Sequence, residues 1–114
     1  MILQRSLLTK YLSRQEQLEA KFREFHRDNP CVYNWFRAFS LELIRRGIKQ
    51  YSAYGIMHRV RFEAVLTGVE DNEYKINNNL TPYYARKFLR DHPQHKGFFI
   101  TRELTTENRG PDNE

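Results

Sequence analysis

A single cysteine, Cys31, occurs in 114 residues, so no internal disulfide can form and a disulfide-stapled secreted scaffold is excluded. Glycine is scarce too. Its five copies stand singly at 47, 55, 68, 97 and 110, and none builds a phosphate-cradling loop. No stretch approaches the ~18–20 apolar residues of a membrane span. Residues 1–10 (MILQRSLLTK) are too short and too interrupted for a secretory h-region, so the chain is expected in the cytoplasm. There is no internal repeat, no CxxC and no HExxH. A metal site normally needs three or four ligands, and His92-x-x-His95, or His26 near Cys31, supplies only two. No metal and no cofactor is expected. Asp91-His92-Pro93 matches a fragment of a metal-dependent nuclease motif whose remainder is missing. Cys31 falls on a helix's first turn, where a thiolate is stabilised, but it has no identifiable base. No catalytic residue follows from the sequence, and the chain is not expected to be an enzyme.

What is present is aromatic and basic. Eight Phe, seven Tyr and one Trp make up 14% of the chain, although its mean hydropathy is −0.80. A disordered basic chain is poor in aromatics, because it buries too little area to offset chain entropy. Lys and Arg number 19 against 14 Asp and Glu, for a net charge of +5. The acids are uneven. Glu70, Asp71 and Glu73 crowd one turn, and Glu103, Glu107, Asp112 and Glu114 crowd the C-terminal end. Without those seven, seven acids face all 19 bases, so the folded part is expected to present a more positive surface than its net charge suggests.

Residues 1–12 read as a lead-in, 13–104 as one domain and 105–114 as a disordered tail without apolar residues. Ser13 and Glu16 fit a capping box, and Leu18, Phe22 and Phe25 follow at helical spacing, which predicts a helix over about 14–27. Asn29 as cap and Pro30 at the first helical position open a second helix. Its stripe is Val32, Phe36, Phe39 and Leu43, widened by Trp35 and Ile44, and Gly47 suits its left-handed cap. These aromatics cover more than one face, so the helix is either wholly buried or partly a homodimer contact.

Ser52 caps a third helix, with Ile56 and Val60 inward. Its end is ambiguous, since residues 61–66 read either as continued helix or as a short strand, and Gly68 terminates it either way. Residues 74–77 read as a possible strand. Thr81-Pro82 opens a fourth helix in a cap-then-proline manner, with Tyr84, Ala85, Phe88 and Leu89 inward and Tyr83, Arg86, Lys87 and Arg90 on the other side. His92-Pro93 ends it, and residues 98–104 read as a strand. The expected class is mainly α (α+β), a four-helix winged-helix-like domain with a small β wing. In that arrangement the helix at 81–91 enters the DNA major groove.

The segments Asn29-Pro30-x-x-Tyr33, Tyr51-Ser52-Ala53-x-x-Ile56-x-His58-Arg59-x-Arg61, residues 74–79 (YKINNN), Tyr83-Tyr84-Ala85-Arg86 and Gly97-Phe98-Phe99-x-x-Arg102 together resemble a family of small uncharacterised bacteriophage and prophage proteins. The resemblance spans about residues 22–104. It implies a bacterial host cytoplasm and a role in gene regulation, DNA handling or interference with a host system, and it implies no catalytic residues.

The candidate nucleic-acid-binding residues are Asn77, Asn78, Asn79, Thr81, Tyr83, Arg86, Lys87 and Arg90, with Lys96 and Arg102 on or beside the wing. Arginine and lysine contact phosphates and guanine edges, asparagine pairs with adenine, and tyrosine stacks. A second basic cluster comprises Arg45, Arg46, Lys49, Arg59 and Arg61. Arg45 and Arg46 also suit a helix C-terminus, and Arg59 or Arg61 is expected to pair with Glu63 or Glu42. On a helix Arg59 and Arg61 diverge by about 200°. The expected function is a small basic DNA-binding protein of phage or prophage type. The alternative is a phage-encoded interaction module that binds and inhibits or redirects a host protein.

Overall fold

The computed structural model describes residues 13–68 and 76–100. These are mainly helical. Four helices appear, α1 (Arg14–Asp28), α2 (Pro30–Arg45), α3 (Ala53–Thr67) and α4 (Thr81–Asp91), with short 3-10 turns at Asn78–Leu80 and Pro93–His95. No strand occurs among the described residues. Ile76 and Asn77 are irregular, and Phe98, Phe99 and Ile100 carry no strand pairing. The rest of both expected strands, Arg102, the 1–12 lead-in, the acidic turn and the 105–114 tail lie outside the described residues.

The helix boundaries follow local chemistry. Ser13 Oγ accepts from the Glu16 amide at 3.1 Å, and the Ser13 amide donates to Glu16 Oε1 at 2.9 Å, which is the capping box expected at α1. Ser52 Oγ accepts from the Gly55 amide at 3.2 Å and starts α3. That helix runs unbroken to Thr67, so residues 61–66 are helical, and Gly68 closes it in the left-handed region at φ +75°. Gly47 sits at φ +92° just beyond α2.

Two expected caps are corrected. The Asn29 side chain does not cap α2, because its amide donates instead to the Phe25 carbonyl at 3.1 Å and closes the end of α1. Thr81 is the first residue of α4 rather than its cap, and its Oγ1 is buried without a hydrogen-bond partner among the described residues.

The core is aromatic. Phe36, Tyr84 and Phe88 are fully buried, with Phe22, Phe98 and Phe99 packed against them. Tyr84 stands edge-on to Phe22 at 4.7 Å between centroids and tilted to Phe36 at 5.9 Å. Aromatic pairs in this geometry add about 0.5–1.5 kcal/mol beyond their area burial. On α2, Val32, Tyr33 and Phe36 are buried while Trp35, Phe39, Leu43 and Ile44 are half-buried against the core, so the helix is central without being enclosed.

Helix α4 is set deeper than its charge suggests. Thr81, Tyr83, Tyr84, Ala85 and Phe88 are all buried. Its far end is tied to α2 twice. Tyr33 Oη donates to Asp91 Oδ2 at 2.6 Å, and Arg37 Nε donates to His92 Nε2 at 3.1 Å. Since His92 Nε2 accepts, its proton sits on Nδ1, which lies 3.1 Å from the Phe88 carbonyl.

Candidate nucleic-acid interface

Helix α4 does not present the protruding cationic face expected of a recognition helix. Tyr83 is buried, stacked on Phe22 at 5.7 Å, and its hydroxyl donates to the Gln15 carbonyl of α1 at 3.2 Å. The expectation that Tyr83 faces outward is therefore corrected, and Thr81, also expected among the contact residues, is fully buried. The reason is tertiary, because α1 lies across the side of α4 that periodicity assigned to solvent. Arg86 is half-buried with its guanidinium 4.6 Å over the Tyr83 ring. Lys87 is half-buried, 3.3 Å from Asp91 Oδ2 and 4.9 Å over the Tyr33 ring.

Burial by itself raises the Asp91 pKa. Hydrogen bonds from Tyr33 and Lys87, with the Lys87 charge, outweigh it and hold Asp91 below its ordinary value. Burial, reinforced by the Asp91 bond, pushes the Tyr33 hydroxyl up. This corner is a fixed, internally neutralised network.

Of the remaining expected contact residues, Asn77, Asn78, Asn79, Arg90 and Lys96 are exposed. Asn77 Oδ1 accepts from the Asn79 amide at 2.8 Å, and Asn78 Oδ1 accepts from Arg61. Arg61 also donates to the Ile76 carbonyl at 2.9 Å. So Arg61 tethers the segment before α4 to α3, and it leaves the second basic cluster.

The rest of that cluster converges. Arg45 and Arg46 from the end of α2 and Arg59 from α3 line one open groove of about 760 Å³ between the two helices. Arg37 joins them from the middle of α2, and Tyr51 and Gly55 form part of the α3 side. Glu42 is the one carboxylate on the lining among the described residues, and it accepts from Arg45 and, at 2.8 Å, from Arg46. Those bonds, with the two guanidinium charges, hold Glu42 below the usual carboxylate range. Arg59 lies 3.5 Å from Glu63, one of the pairings left open by the sequence, and 4.7 Å over the half-buried Phe39 ring. The arginine side chains of these pairs are 56–72% exposed, a setting in which ion pairs contribute about 0–1 kcal/mol. Each guanidinium has five N–H donors, and Glu42 takes one from each of its two partners. The groove can therefore still bind an anion. Lys49 lies outside it, on a smaller recess with Gln94 and His95.

Arg37 and Tyr51 do not stand out as contact residues in the sequence. Arg37, Leu41 and Arg45 do recur at four-residue spacing, which places them on one helix face. That was the available signal for Arg37. For Tyr51 none existed, since its placement depends on how the 46–52 connection turns. Both His92 ring nitrogens are engaged within the fold. No group of three or more His, Cys, Asp or Glu among the described residues is placed to hold a metal ion. Likewise, no helix among them is long and apolar enough to cross a membrane. No family model, no curated protein and no solved structure matches the chain.

Proposed function

We propose that this chain is a small, non-enzymatic nucleic-acid-binding protein of phage or prophage type, acting on DNA in the bacterial cytoplasm. One observation carries the reading. Four arginines from two helices converge on a single groove whose lining, among the described residues, holds one carboxylate. Clustered guanidinium groups bind phosphates sequence-independently, and arginine does so in bidentate fashion. Half of the 14 acidic residues lie in residues 70–73 and 103–114, away in sequence from these arginines.

A narrower version of the proposal keeps α4 as the contacting helix of a winged-helix-like domain, with a wing over 98–104 carrying Arg102. The exposure of Arg90, Lys96 and the three asparagines supports it. The burial of Tyr83 and the Lys87–Asp91 pair favour the groove instead.

An electrophoretic mobility shift at low salt separates the two. Arg45→Gln/Arg46→Gln is expected to weaken the shift strongly and Arg86→Ala/Arg90→Ala to weaken it less. The reverse order would move the contact to α4, and no shift by the parent protein would end the nucleic-acid reading.

A second reading is a module that binds a host protein. It is favoured by Phe62, Val65 and Leu66, exposed at 57%, 61% and 63% along one side of α3. A stoichiometric partner captured from nuclease-treated bacterial lysate, and lost on Phe62→Ser, would replace the first reading.

A further inference from the structure

Tyr51 stands immediately before the Ser52 cap, outside the core, and 45% of it is exposed. Its backbone is pinned, since its N–H donates to the Phe98 carbonyl at 3.1 Å. The ring turns back over the first turn of α3 and rests on Gly55. A Cβ at position 55 would come within 2.8 Å of Tyr51 Cε2 and 3.4 Å of Cζ. Real Cβ atoms essentially never sit that close, so the ring takes this position because residue 55 has no side chain. Glycine inside a helix costs roughly 1 kcal/mol relative to alanine. Here that cost accompanies an aromatic plane seated on backbone at the edge of the arginine groove.

We propose that the groove takes a single nucleic-acid strand, with one base stacked on Tyr51 and its phosphates held by Arg37, Arg45, Arg46 and Arg59. This deepens the nucleic-acid reading and rests on it. An electropositive groove beside an aromatic plane is the combination that binds unpaired strands, because every base offers a π face and every nucleotide a phosphate. In a duplex the bases are already stacked on one another. Their faces are closed to Tyr51, and the bulk of the helix would meet only the rim of a groove set between two helices. A free strand can enter. Phe39, half-buried beneath the Arg59 guanidinium, extends the apolar floor.

The test is fluorescence anisotropy with three labelled probes: a mixed-sequence DNA 12-mer, the same 12-mer annealed to its complement, and a polyglutamate peptide. The parent is expected to bind the single strand at least tenfold more tightly than the duplex. Tyr51→Ala should weaken the single strand by about tenfold or more, while Tyr51→Phe should leave it unchanged. Gly55→Ala should weaken it as well, at an equal or higher thermal midpoint, because alanine favours the helix while displacing the ring. That midpoint separates loss of the stacking plane from loss of fold. Equal affinity for strand and duplex, unaffected by Tyr51→Ala, overturns the stacking proposal and leaves nucleic-acid binding standing. Absence of binding to either overturns the underlying reading. Polyglutamate bound as tightly as the strand overturns both in favour of an acidic protein partner.

Discussion

Tyr33 and Asp91 lie 58 positions apart, and the phenol donates to the carboxylate at 2.6 Å. The bond fastens the end of α4 to the first turn of α2, and Lys87 shares the same carboxylate oxygen at 3.3 Å. Hydrogen bonds to charged groups contribute about 1.5–3 kcal/mol, and the partial exposure of Asp91 puts this one at the low end. Tyr33→Phe is expected to lower unfolding stability by about 1–2 kcal/mol in urea titrations. Tyr33→Phe in an Asp91→Asn background should cost clearly less, since the charge-assisted bond is already gone.

Two buried hydroxyls have no partner among the described residues, Tyr84 Oη in the core and Thr81 Oγ1 at the start of α4. A buried unsatisfied polar atom costs about 1–3 kcal/mol. Tyr84→Phe and Thr81→Val remove that cost without changing shape much. Each is expected to raise stability by about 1 kcal/mol in the same titration. A loss of stability in either would mean that the hydroxyl finds a partner in solution.

The His26 imidazole stacks on Phe22 at 5.9 Å and stands edge-on to Tyr33 at 5.6 Å. Burial, and after it the Lys87 charge, lower its pKa from the ordinary 6.5. The folded state therefore binds this proton less readily than the unfolded chain. Its contribution to stability is fully present above pH 6.5 and is lost as pH falls from there through the folded value. Asp91 and Glu42, also held low, lose theirs only in the more acidic carboxylate range. Between pH 6.5 and 5, stability is expected to fall in the parent and to fall less in His26→Phe, as read from denaturation midpoints at fixed ionic strength.

Glu42 is the carboxylate on the groove lining and holds two of its arginines. Glu42→Gln removes a competing anion at the position assigned to phosphate. Its charge interaction with a phosphate nearby is about 1 kcal/mol in water. The variant is expected to bind a DNA strand roughly fivefold more tightly in anisotropy titrations, with a steeper salt dependence. Weaker binding would show that Glu42 positions the guanidinium groups rather than occupying them.

The helical framework was legible because it is written in local chemistry. The reciprocal Ser13–Glu16 cap, Ser52 before α3, and Gly47 and Gly68 past two helix ends each act within a few residues, and the structure places all of them as read. The Arg59–Glu63 pair, four residues apart on α3, is one of the alternatives that the sequence leaves open. Tyr83 was misread as outward because its environment is supplied by Phe22 and by the Gln15 carbonyl, 68 positions away. Thr81 was misread as a cap because Asn78–Leu80 forms a 3-10 turn that leads straight into α4. Arg61 was grouped with a binding cluster because nothing local shows that it reaches Ile76 and Asn78. The groove, assembled from Arg37, Arg45, Arg46, Tyr51 and Arg59, exists only once α2 and α3 pack together.

The central claim is that this groove binds nucleic-acid phosphates, and the salt dependence of single-strand DNA affinity tests it most directly. Each neutralised phosphate adds about −0.7 to the slope of log K against log salt for single strands, so three to four arginine contacts predict a slope of about −2 to −3. Arg45→Gln/Arg46→Gln/Arg59→Gln should flatten that slope to −1 or less in magnitude. A parent slope near zero, or a slope unchanged in the triple variant, would contradict the account.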